Sequence, residues 1–254
     1  MKITAIIPAR LESTRLPKKV LADIGGSSML QRVYQVAVTS LLFEQVIVAT
    51  DSELVMDHCI KNNMRSMTTS VAHQSGTDRI AEVAEMVDSD IIINMQADEP
   101  FLENSNLIAL VELMKREEVT IGTLAKKIET TESLLDYNSV KLVKDRNNKV
   151  LYFSRQAIPA QRDEPYRNWL KNESYYHHLG LYGFKKETLI QITKLDQSKL
   201  ELAEKLEQLR WIENGHDVYV SIVKSESFGI DTVEDLERAR TYAISKAFTD
   251  NLKS

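Results

Sequence analysis

The stretch I-I-P-A-R-L-E-S-T-R-L-P-K-K-V-L, residues Ile6–Leu21, decides how the rest of the chain is interpreted. An apolar run, Ile3–Ile7, ends at Pro8, and residues 9–21, which follow it, contain four cationic residues and one acidic residue; a helical pattern begins near Met29. In α/β folds, loops at the carboxyl ends of the strands bind ligands. The order strand, cationic loop, helix therefore predicts an α/β fold that binds its ligand at this loop.

The cations of this loop are suited to phosphate groups. Arg10 and Arg15 offer guanidinium forks that match phosphate oxygens in two-point contacts, and Lys19 adds a mobile point charge. We therefore expect these three residues to meet a polyanion such as a triphosphate. A solvated charged loop is the alternative on charge pattern alone. The loop is not a P-loop, because it lacks the Gly-x-x-x-x-Gly-Lys-Ser/Thr pattern.

Short apolar runs alternate with helical patterns along the chain, as in right-handed βαβ units. We predict an α/β fold with a mainly parallel, Rossmann-like sheet, helices on both of its faces, and one domain over residues 1–254. An antiparallel portion is expected at about 140–185, where strands are short and a polar segment intervenes. The predicted strands are Ile3–Ile7, Val46–Thr50, Arg65–Thr68, Ile91–Met95, Thr120–Leu124, Val140–Val143, Val150–Phe153, Tyr176–Tyr182 and Val218–Val223.

Several helix boundaries are visible in the sequence. The apolar stripe of Met29–Leu41 predicts a helix, and Gly215 is expected to close a second helix, Leu200–Asn214, in the left-handed conformation. Three capping boxes are predicted, and they pair Ser75 with Asp78, Ser198 with Glu201, and Thr232 with Asp235.

Composition restricts the class of protein. Hydrophobic residues make up 43% of the chain and charged residues 27%, which is typical of a soluble globular protein. The net charge of −5 disfavours a nucleic-acid partner, and no apolar run is long enough to predict a membrane span. The single cysteine, Cys59, implies no disulfide within the chain. We expect a cytoplasmic protein with no nucleic-acid or membrane partner.

Two acidic residues that are remote in sequence are candidate metal ligands. Asp98 directly follows the predicted strand Ile91–Met95, and Asp231 directly precedes a predicted helix cap. Carboxylates and substrate phosphates together suit Mg²⁺, so we expect Asp98 to be the first ligand of an Mg²⁺ ion, whereas Asp231 alone is a weaker signal. The alternative is that each carboxylate only begins a helix.

These segments resemble the sugar nucleotidyltransferases that make CMP-activated acids, in particular the family of 3-deoxy-manno-octulosonate (KDO) cytidylyltransferases. The sequence motifs of this family are similar to Ile7–Arg10 with Ser13–Pro17, to the Gln-x-Asp-Glu-Pro of Gln96–Pro100, and to the Gly-Ile-Asp-Thr of Gly229–Thr232. Further matching strings are Ser75–Arg79, Leu151–Pro159, His178–Tyr182 and Leu206–Arg210. The strings occur in family order across most of the chain.

The resemblance implies an Mg²⁺-dependent transferase that uses CTP and KDO, forms a homodimer and supplies lipopolysaccharide synthesis. Its catalytic residues would be Arg10, Arg15, Lys19 and Asp98, and its metal ligands Asp98 and Asp231. It implies nucleotide contacts from Pro8, Ala9, Arg10, Arg15, Lys19, Ser75, Arg79 and Gln96. It also implies sugar contacts from Gln96, Arg155, His178, Tyr182, Glu207 and Gln208, with the portion at about 140–185 serving sugar binding and dimerisation.

The chain departs from the family's sequence motifs at several positions, so other interpretations stay open. Lys18 and Ala97 each replace a glycine, Val20 replaces a proline, and Asn63-Met64 replaces a glycine pair. The alternatives are a cytidylyltransferase for a related acid sugar, 8-amino-KDO or a sialic-type acid, and a non-catalytic sugar-nucleotide sensor.

Overall fold

The computed structural model describes residues 1–12, 16–225 and 228–251, and side chains up to residue 245. Every predicted strand is confirmed to within a few residues. The strands are β1 (Ile3–Pro8), β2 (Gln45–Thr50), β3 (Ser66–Thr68), β4 (Ile91–Asn94), β5 (Ile121–Lys127), β6 (Lys141–Lys144), β7 (Val150–Ser154), β8 (Tyr176–Lys185) and β9 (Val218–Val223).

Helices connect most of these strands, and a 3₁₀ turn, Lys19–Leu21, follows β1. In the described residues, no helix is both long and apolar enough to span a membrane. The helices are α1 (Met29–Thr39), α2 (Glu53–Lys61), α3 (Gly76–Met86), α4 (Asn104–Met114), α5 (Thr131–Leu135), α6 (Tyr166–Asn172), α7 (Lys186–Ile192), α8 (Lys199–Glu204), α9 (Gln208–Glu213) and α10 (Val233–Asn251).

One predicted helix is wrong. The segment Leu200–Asn214 forms two short helices, α8 and α9, because Lys205 adopts the left-handed conformation with φ 54° and ends α8. Leu206 N–H then donates to the Glu201 carbonyl at 3.3 Å, which closes the turn. Gly215, with φ 81°, ends α9 in the left-handed conformation as predicted. The chain direction therefore changes just before Glu207 and Gln208.

The predicted capping boxes are confirmed. Ser75 with Asp78 begins α3, and Ser198 with Glu201 begins α8, each through reciprocal side-chain to backbone hydrogen bonds. At the start of α10, Asp235 N–H donates to Thr232 Oγ1 at 3.1 Å, and Thr232 N–H donates to Asp235 Oδ2 at 3.1 Å.

The chain divides into two compact units. The first comprises residues 1–89, 93–104 and 227–254, and the second comprises residues 90–92 and 105–226. In the first unit the strand order is β3-β2-β1, and β2 is parallel to both β1 and β3. Ala5, Ile6 and Ile7 of β1 are fully buried, as expected for a strand that is covered on both faces.

A hydrophobic cluster in the first unit brings together segments that are far apart in sequence. Leu16, Ile24 and Met29 come from the segment after β1, Phe101 follows β4, and Ile230, Leu236, Ala239 and Ala243 come from the segment that leads into α10 and from α10 itself. The ring of Phe101 also lies 5.2 Å from that of Phe228 and 4.7 Å from that of Tyr242, between centroids. Removal of this apolar surface from water is what holds the three segments together.

The second unit contains the antiparallel portion predicted at about 140–185. β5 pairs antiparallel with β8 and parallel with β9, and β6 pairs antiparallel with β7 and β8. The β5–β8 register shifts between Thr123 and Leu124, where Thr123 is opposite Tyr182 and Leu124 is opposite Leu179. This β-bulge places two extra residues on β8. The whole is a mixed α/β fold, as the sequence predicts.

Lys18, which stands where the family motif described above has a glycine, adopts a backbone conformation that favours glycine. It lies just before the 3₁₀ turn with φ 55° and ψ 30°, in the left-handed region. For a residue with a Cβ atom this conformation costs about 1 kcal/mol or more, whereas glycine adopts it readily. The lysine therefore keeps the geometry of the loop at a cost in stability.

We predict that Lys18→Gly unfolds at a higher denaturant concentration than Lys18→Ala. The two variants remove the same charge, but only glycine relieves the left-handed strain, so the expected difference in the free energy of unfolding is about 1 kcal/mol. Urea unfolding followed by circular dichroism measures it. An alanine variant that is equally or more stable contradicts the strain at this position.

Candidate active site

One cation lies between two remote carboxylates in the first unit. Lys19 Nζ is 2.6 Å from Asp98 Oδ2 and 2.9 Å from Asp231 Oδ1. The Lys19 side chain is only 13% exposed. Burial alone would lower the pKa of Lys19, but the charges and hydrogen bonds of Asp98 and Asp231 outweigh it, so the pKa lies above its usual value of 10.5. Lys19 therefore stays charged at neutral pH, and the two carboxylates converge as predicted.

The backbone fixes both carboxylates. Ile230 N–H donates to the Asp98 carbonyl at 3.0 Å, which joins the loop after β4 to the segment before α10. Asp231 N–H donates to Asp235 Oδ2 at 3.1 Å, so the cap of α10 also orients the residue that precedes it. Ile230 is fully buried in the cluster described above. Hydrophobic packing and these hydrogen bonds together hold Asp98 and Asp231 around Lys19.

The three side chains line a cavity of about 770 Å³ at the carboxyl end of β1. Predicted nucleotide contacts that also line it are Pro8, Arg10, Ser75, Arg79 and Gln96. Arg10 is exposed and makes no ion pair with any residue that the structure describes. The remaining predicted cation, Arg15, lies outside the described residues.

Ser75 and Ala9 have structural contacts of their own. Ser75 Oγ accepts a hydrogen bond from Asp78 N–H at 3.1 Å as the cap of α3. Ala9 is fully buried, and its N–H donates to the Ala49 carbonyl at 2.8 Å. The prediction that Ala9 contacts a nucleotide therefore depends on its carbonyl oxygen.

Arg79 is not a free cation. Its guanidinium is 2.6 Å from Asp51 Oδ2 and also donates to Thr69 Oγ1. The residue is 3% exposed. Its charge is therefore largely balanced by Asp51, and Arg79 shapes the cavity wall as well as offering its remaining donors.

Ala97 fits its position without strain. It lines the cavity and does not have a positive φ, unlike Lys18, Leu41, Asn63, Asn148, Asp163 and Lys205 among the described non-glycine residues. Alanine is therefore compatible with the backbone at this position.

The predicted sugar contacts other than Gln96 lie in the second unit. His178 is 8% exposed on β8, and its ring centroid is 5.2 Å from that of Tyr182 and 5.0 Å from that of Phe153. Burial, then the charge of His177, lower the pKa of His178 to about 3. His178 is therefore neutral at physiological pH.

Tyr182 lies beside the start of α9. Its ring packs edge-on against Trp211 with centroids 5.1 Å apart, and Gln208 of the same helix is 6% exposed. Burial, then the charge of Glu207, raise the pKa of Tyr182 well above its usual value. Tyr182 Oη is buried and has no hydrogen-bond partner among the described residues, so its hydroxyl proton is available to a ligand.

Arg155 is anchored to the turn between α8 and α9. Its Nε donates to the Glu204 carbonyl at 2.8 Å and its Nη1 to the Tyr137 carbonyl at 3.1 Å. In return, Glu204 Oε2 accepts from Arg155 N–H at 3.0 Å, and Glu204 Oε1 accepts from Ser154 Oγ at 2.6 Å. Part of the guanidinium is thus engaged by the protein.

Sequence reasoning missed three residues of these sites. His73 lines the cavity and pairs with Glu82, whose pKa is lowered by hydrogen bonds from Ser70 N–H and His73. In the second unit, Glu204 fixes Arg155, and Thr123 contacts His178. Thr123 and Glu204 act through other residues, so no local pattern in the sequence marks them.

Comparison with known proteins gives the family and the fold of this chain. The fold is that of the nucleotidyltransferases. The sequence profile described as Cytidylyltransferase matches residues 4–224, and the chain belongs to the cytidylyltransferase family.

Named relatives cover nearly the whole chain. The 3-deoxy-manno-octulosonate cytidylyltransferase of Koribacter versatilis (strain Ellin345) is 43% identical over 238 residues, which are 94% of this chain and 88% of the relative. The enzyme of the same name from Geobacter metallireducens is 44% identical over 94% of this chain and 96% of its own length. A solved CMP:2-keto-3-deoxy-manno-octonic acid synthetase complexed with CTP superposes with a TM-score of 0.91, at 33% identity, over 97% of this chain and 100% of that one.

We predict that acid destabilises the protein through His178. Its pKa is about 3 when folded and 6.5 in an unstructured peptide, so the unfolded chain takes up the proton first as the pH falls. The stabilisation is complete above pH 6.5 and is lost as the pH falls towards 3; between pH 7 and 5 the loss is about 2 kcal/mol. His178→Gln should lack this part of the loss, measured as the difference in urea unfolding at the two pH values. Equal losses in variant and wild type contradict a neutral buried imidazole.

Proposed function

We propose that this protein transfers CMP from CTP to the anomeric hydroxyl of KDO, which gives CMP-KDO and pyrophosphate for lipopolysaccharide inner-core synthesis. The observation that carries the proposal is the convergence of Asp98 and Asp231 on one cation within the cavity at the end of β1. The relatives named above support CTP and KDO as substrates.

The cations of the loop after β1 hold the triphosphate in this proposal. Arg10, Arg15 and Lys19 bind its oxygens and then stabilise the departing pyrophosphate, while Ser75 and Gln96 lie on the wall of the same cavity. The anomeric oxygen forms a bond to the α-phosphorus, and the bond from that phosphorus to the β-phosphate bridging oxygen breaks. The hydroxyl proton passes to solvent. Catalysis comes from positioning and charge stabilisation.

Asp98 and Asp231 fit an Mg²⁺ ion that is shared with the nucleotide. Their oxygens already converge on one positive charge, at 2.6 and 2.9 Å from Lys19 Nζ. Two carboxylates suit an ion whose shell is completed by phosphate oxygens and water. Bound there, Mg²⁺ supplies charge stabilisation at the α-phosphate.

The acid sugar is proposed to contact Arg155, His178, Tyr182, Glu207 and Gln208, with Gln96 between sugar and nucleotide. Support comes from the buried donor on Tyr182 and the neutral ring of His178, since a polyhydroxylated ligand needs such groups. A related acid sugar, 8-amino-KDO or a sialic-type acid, is the second candidate.

We also propose a cytoplasmic homodimer. Large apolar side chains that are exposed in the portion at about 140–185, such as Leu151 at 54% and Tyr166 at 53%, support a self-contact there. Light scattering of the purified protein measures its mass, and a monomer would contradict this part of the proposal.

We predict that the purified protein releases pyrophosphate from CTP only when an acid sugar is present, and fastest with KDO. Asp98→Ala should lower kcat by about 100-fold or more, because it removes a ligand of the Mg²⁺ ion that would stabilise the charge on the reacting phosphate. Asp88→Ala is the matched control, since Asp88 is an 83% exposed carboxylate that pairs with Lys2. The assay is repeated with 8-amino-KDO and sialic acid in place of KDO.

Three results would change the proposal. Faster turnover with another acid sugar replaces KDO as the substrate. Binding of CTP without release of pyrophosphate for any sugar favours the non-catalytic sensor. Full activity in Asp98→Ala removes Asp98 from the catalytic centre.

A further inference from the structure

Thr123 of β5 lies between three polar neighbours in the second unit. Its Oγ1 is 3.0 Å from His178 Nε2, 2.9 Å from the Leu181 carbonyl oxygen and 3.2 Å from the Leu179 carbonyl oxygen. Thr123 is fully buried. A buried polar group must have its donors and acceptors matched, because an unmatched group loses its hydration without replacement.

Only one arrangement of hydrogen atoms fits the three neighbours of Thr123 Oγ1. A hydroxyl has a single hydrogen to donate and lone pairs to accept with, whereas a carbonyl oxygen can only accept. If Thr123 gave its hydrogen to His178, both carbonyl oxygens would face the lone pairs of Oγ1 at 2.9 and 3.2 Å without a proton between them. The hydroxyl must therefore donate to the carbonyl oxygens of Leu179 and Leu181 and accept a hydrogen bond from His178 Nε2–H.

The β-bulge explains why a hydroxyl is needed at this position. The carbonyls of Leu179 and Leu181 belong to the irregular part of β8, where the β5–β8 register shifts between Thr123 and Leu124. The Thr123 hydroxyl bonds to the carbonyl oxygens of this bulge. The same oxygen atom then has a lone pair for His178, so the bulge and the imidazole are held by one side chain.

The His178 ring is fixed on its other sides as well. Its own backbone N–H donates to the Val140 carbonyl at 2.8 Å, and Phe153 and Tyr182 pack against the ring. Burial and the neighbouring His177 keep the ring neutral by lowering its pKa to about 3. A neutral imidazole has one N–H, so a proton on Nε2 leaves a lone pair on Nδ1.

We infer that Thr123 is a positioning residue that holds His178 as the Nε2–H tautomer, so that Nδ1 accepts a hydrogen bond from a hydroxyl group of the acid sugar. The assignment of that ligand rests on the proposed function. An acceptor at Nδ1 selects a neutral hydroxyl and disfavours a carboxylate or phosphate oxygen, whose lone pairs it would repel. His178 therefore binds a hydroxyl group of the sugar and does not bind its carboxylate.

Tyr182 complements this acceptor. Its buried hydroxyl has no partner among the described residues, and its ring is a neighbour of His178 at 5.2 Å between centroids. A sugar hydroxyl both donates and accepts, so a polyol can use the lone pair of His178 and the proton of Tyr182. An ester or a methyl ether at the same position lacks the donor that His178 requires.

Nuclear magnetic resonance of the full-length protein tests the tautomer directly. With ¹⁵N-labelled histidine, the long-range ¹H–¹⁵N spectrum distinguishes a protonated ring nitrogen from one with a lone pair. His178→Gln identifies the resonances by their loss. We expect the wild-type protein at neutral pH to show Nε2 protonated and Nδ1 unprotonated, and a proton on Nδ1 would overturn the inference.

A matched pair of variants tests the role of Thr123. Thr123→Ser keeps the hydroxyl and should keep the Nε2–H tautomer, whereas Thr123→Val keeps the shape and should lose it. In the pyrophosphate assay, Thr123→Val should raise KM for KDO about tenfold, as expected for one hydrogen bond, with KM for CTP unchanged. Equal rises of both KM values, or no rescue by serine, would show a merely structural role. If Thr123→Val does not fold, the wild-type spectrum and Thr123→Ser still decide.

Failure of the proposed function and failure of the role inferred for Thr123 give different results. If the spectrum shows the Nε2–H tautomer but no acid sugar gives turnover, the tautomer stands and its assignment to sugar recognition is withdrawn. If KDO turns over but Nδ1 carries the proton, the function stands and the role of Thr123 is wrong.

Discussion

The charge interaction of Lys19 with Asp98 and Asp231 is the constraint on which the first unit depends. The three residues are separated by 79 and 212 positions along the chain. Two carboxylates that converge in a partly buried place repel each other unless a cation lies between them. Lys19 provides that cation from the loop after β1, and the cluster around Phe101 and Ile230 supplies the packing that brings the segments together.

The same arrangement shows how one segment of the chain can contribute both to the cavity and to the hydrophobic cluster. The loop after β1 carries cations on its polar side, while Leu16 packs in the cluster with Phe101. A ligand that brings phosphate oxygens and its own cation can replace the contacts that Lys19 makes to the carboxylates, and Lys19 is then free for the phosphates. Lys19 thus offsets the repulsion between Asp98 and Asp231 before any nucleotide binds.

Much of the fold could be predicted from the sequence because strands that are buried on both faces are continuous Val, Ile and Leu runs. β1, β2 and β4 carry this signal strongly. The break between α8 and α9 could not be predicted, because Lys205 has no intrinsic preference for the left-handed conformation that it adopts. The convergence of Asp98 and Asp231 was expected from resemblance, whereas Thr123 became visible only when the β-bulge placed its hydroxyl beside His178.

The central claim is that Asp98 and Asp231 form one cation-binding centre with the nucleotide, and binding of Mn²⁺ in the presence of CTP tests it most directly. Electron paramagnetic resonance measures the free Mn²⁺ for wild type, Asp98→Asn, Asp231→Asn and the double variant. If the carboxylates act together, either single substitution removes most of the CTP-dependent Mn²⁺ affinity and the double substitution removes little more. Independent, additive losses, or full affinity in either single variant, would contradict a shared centre.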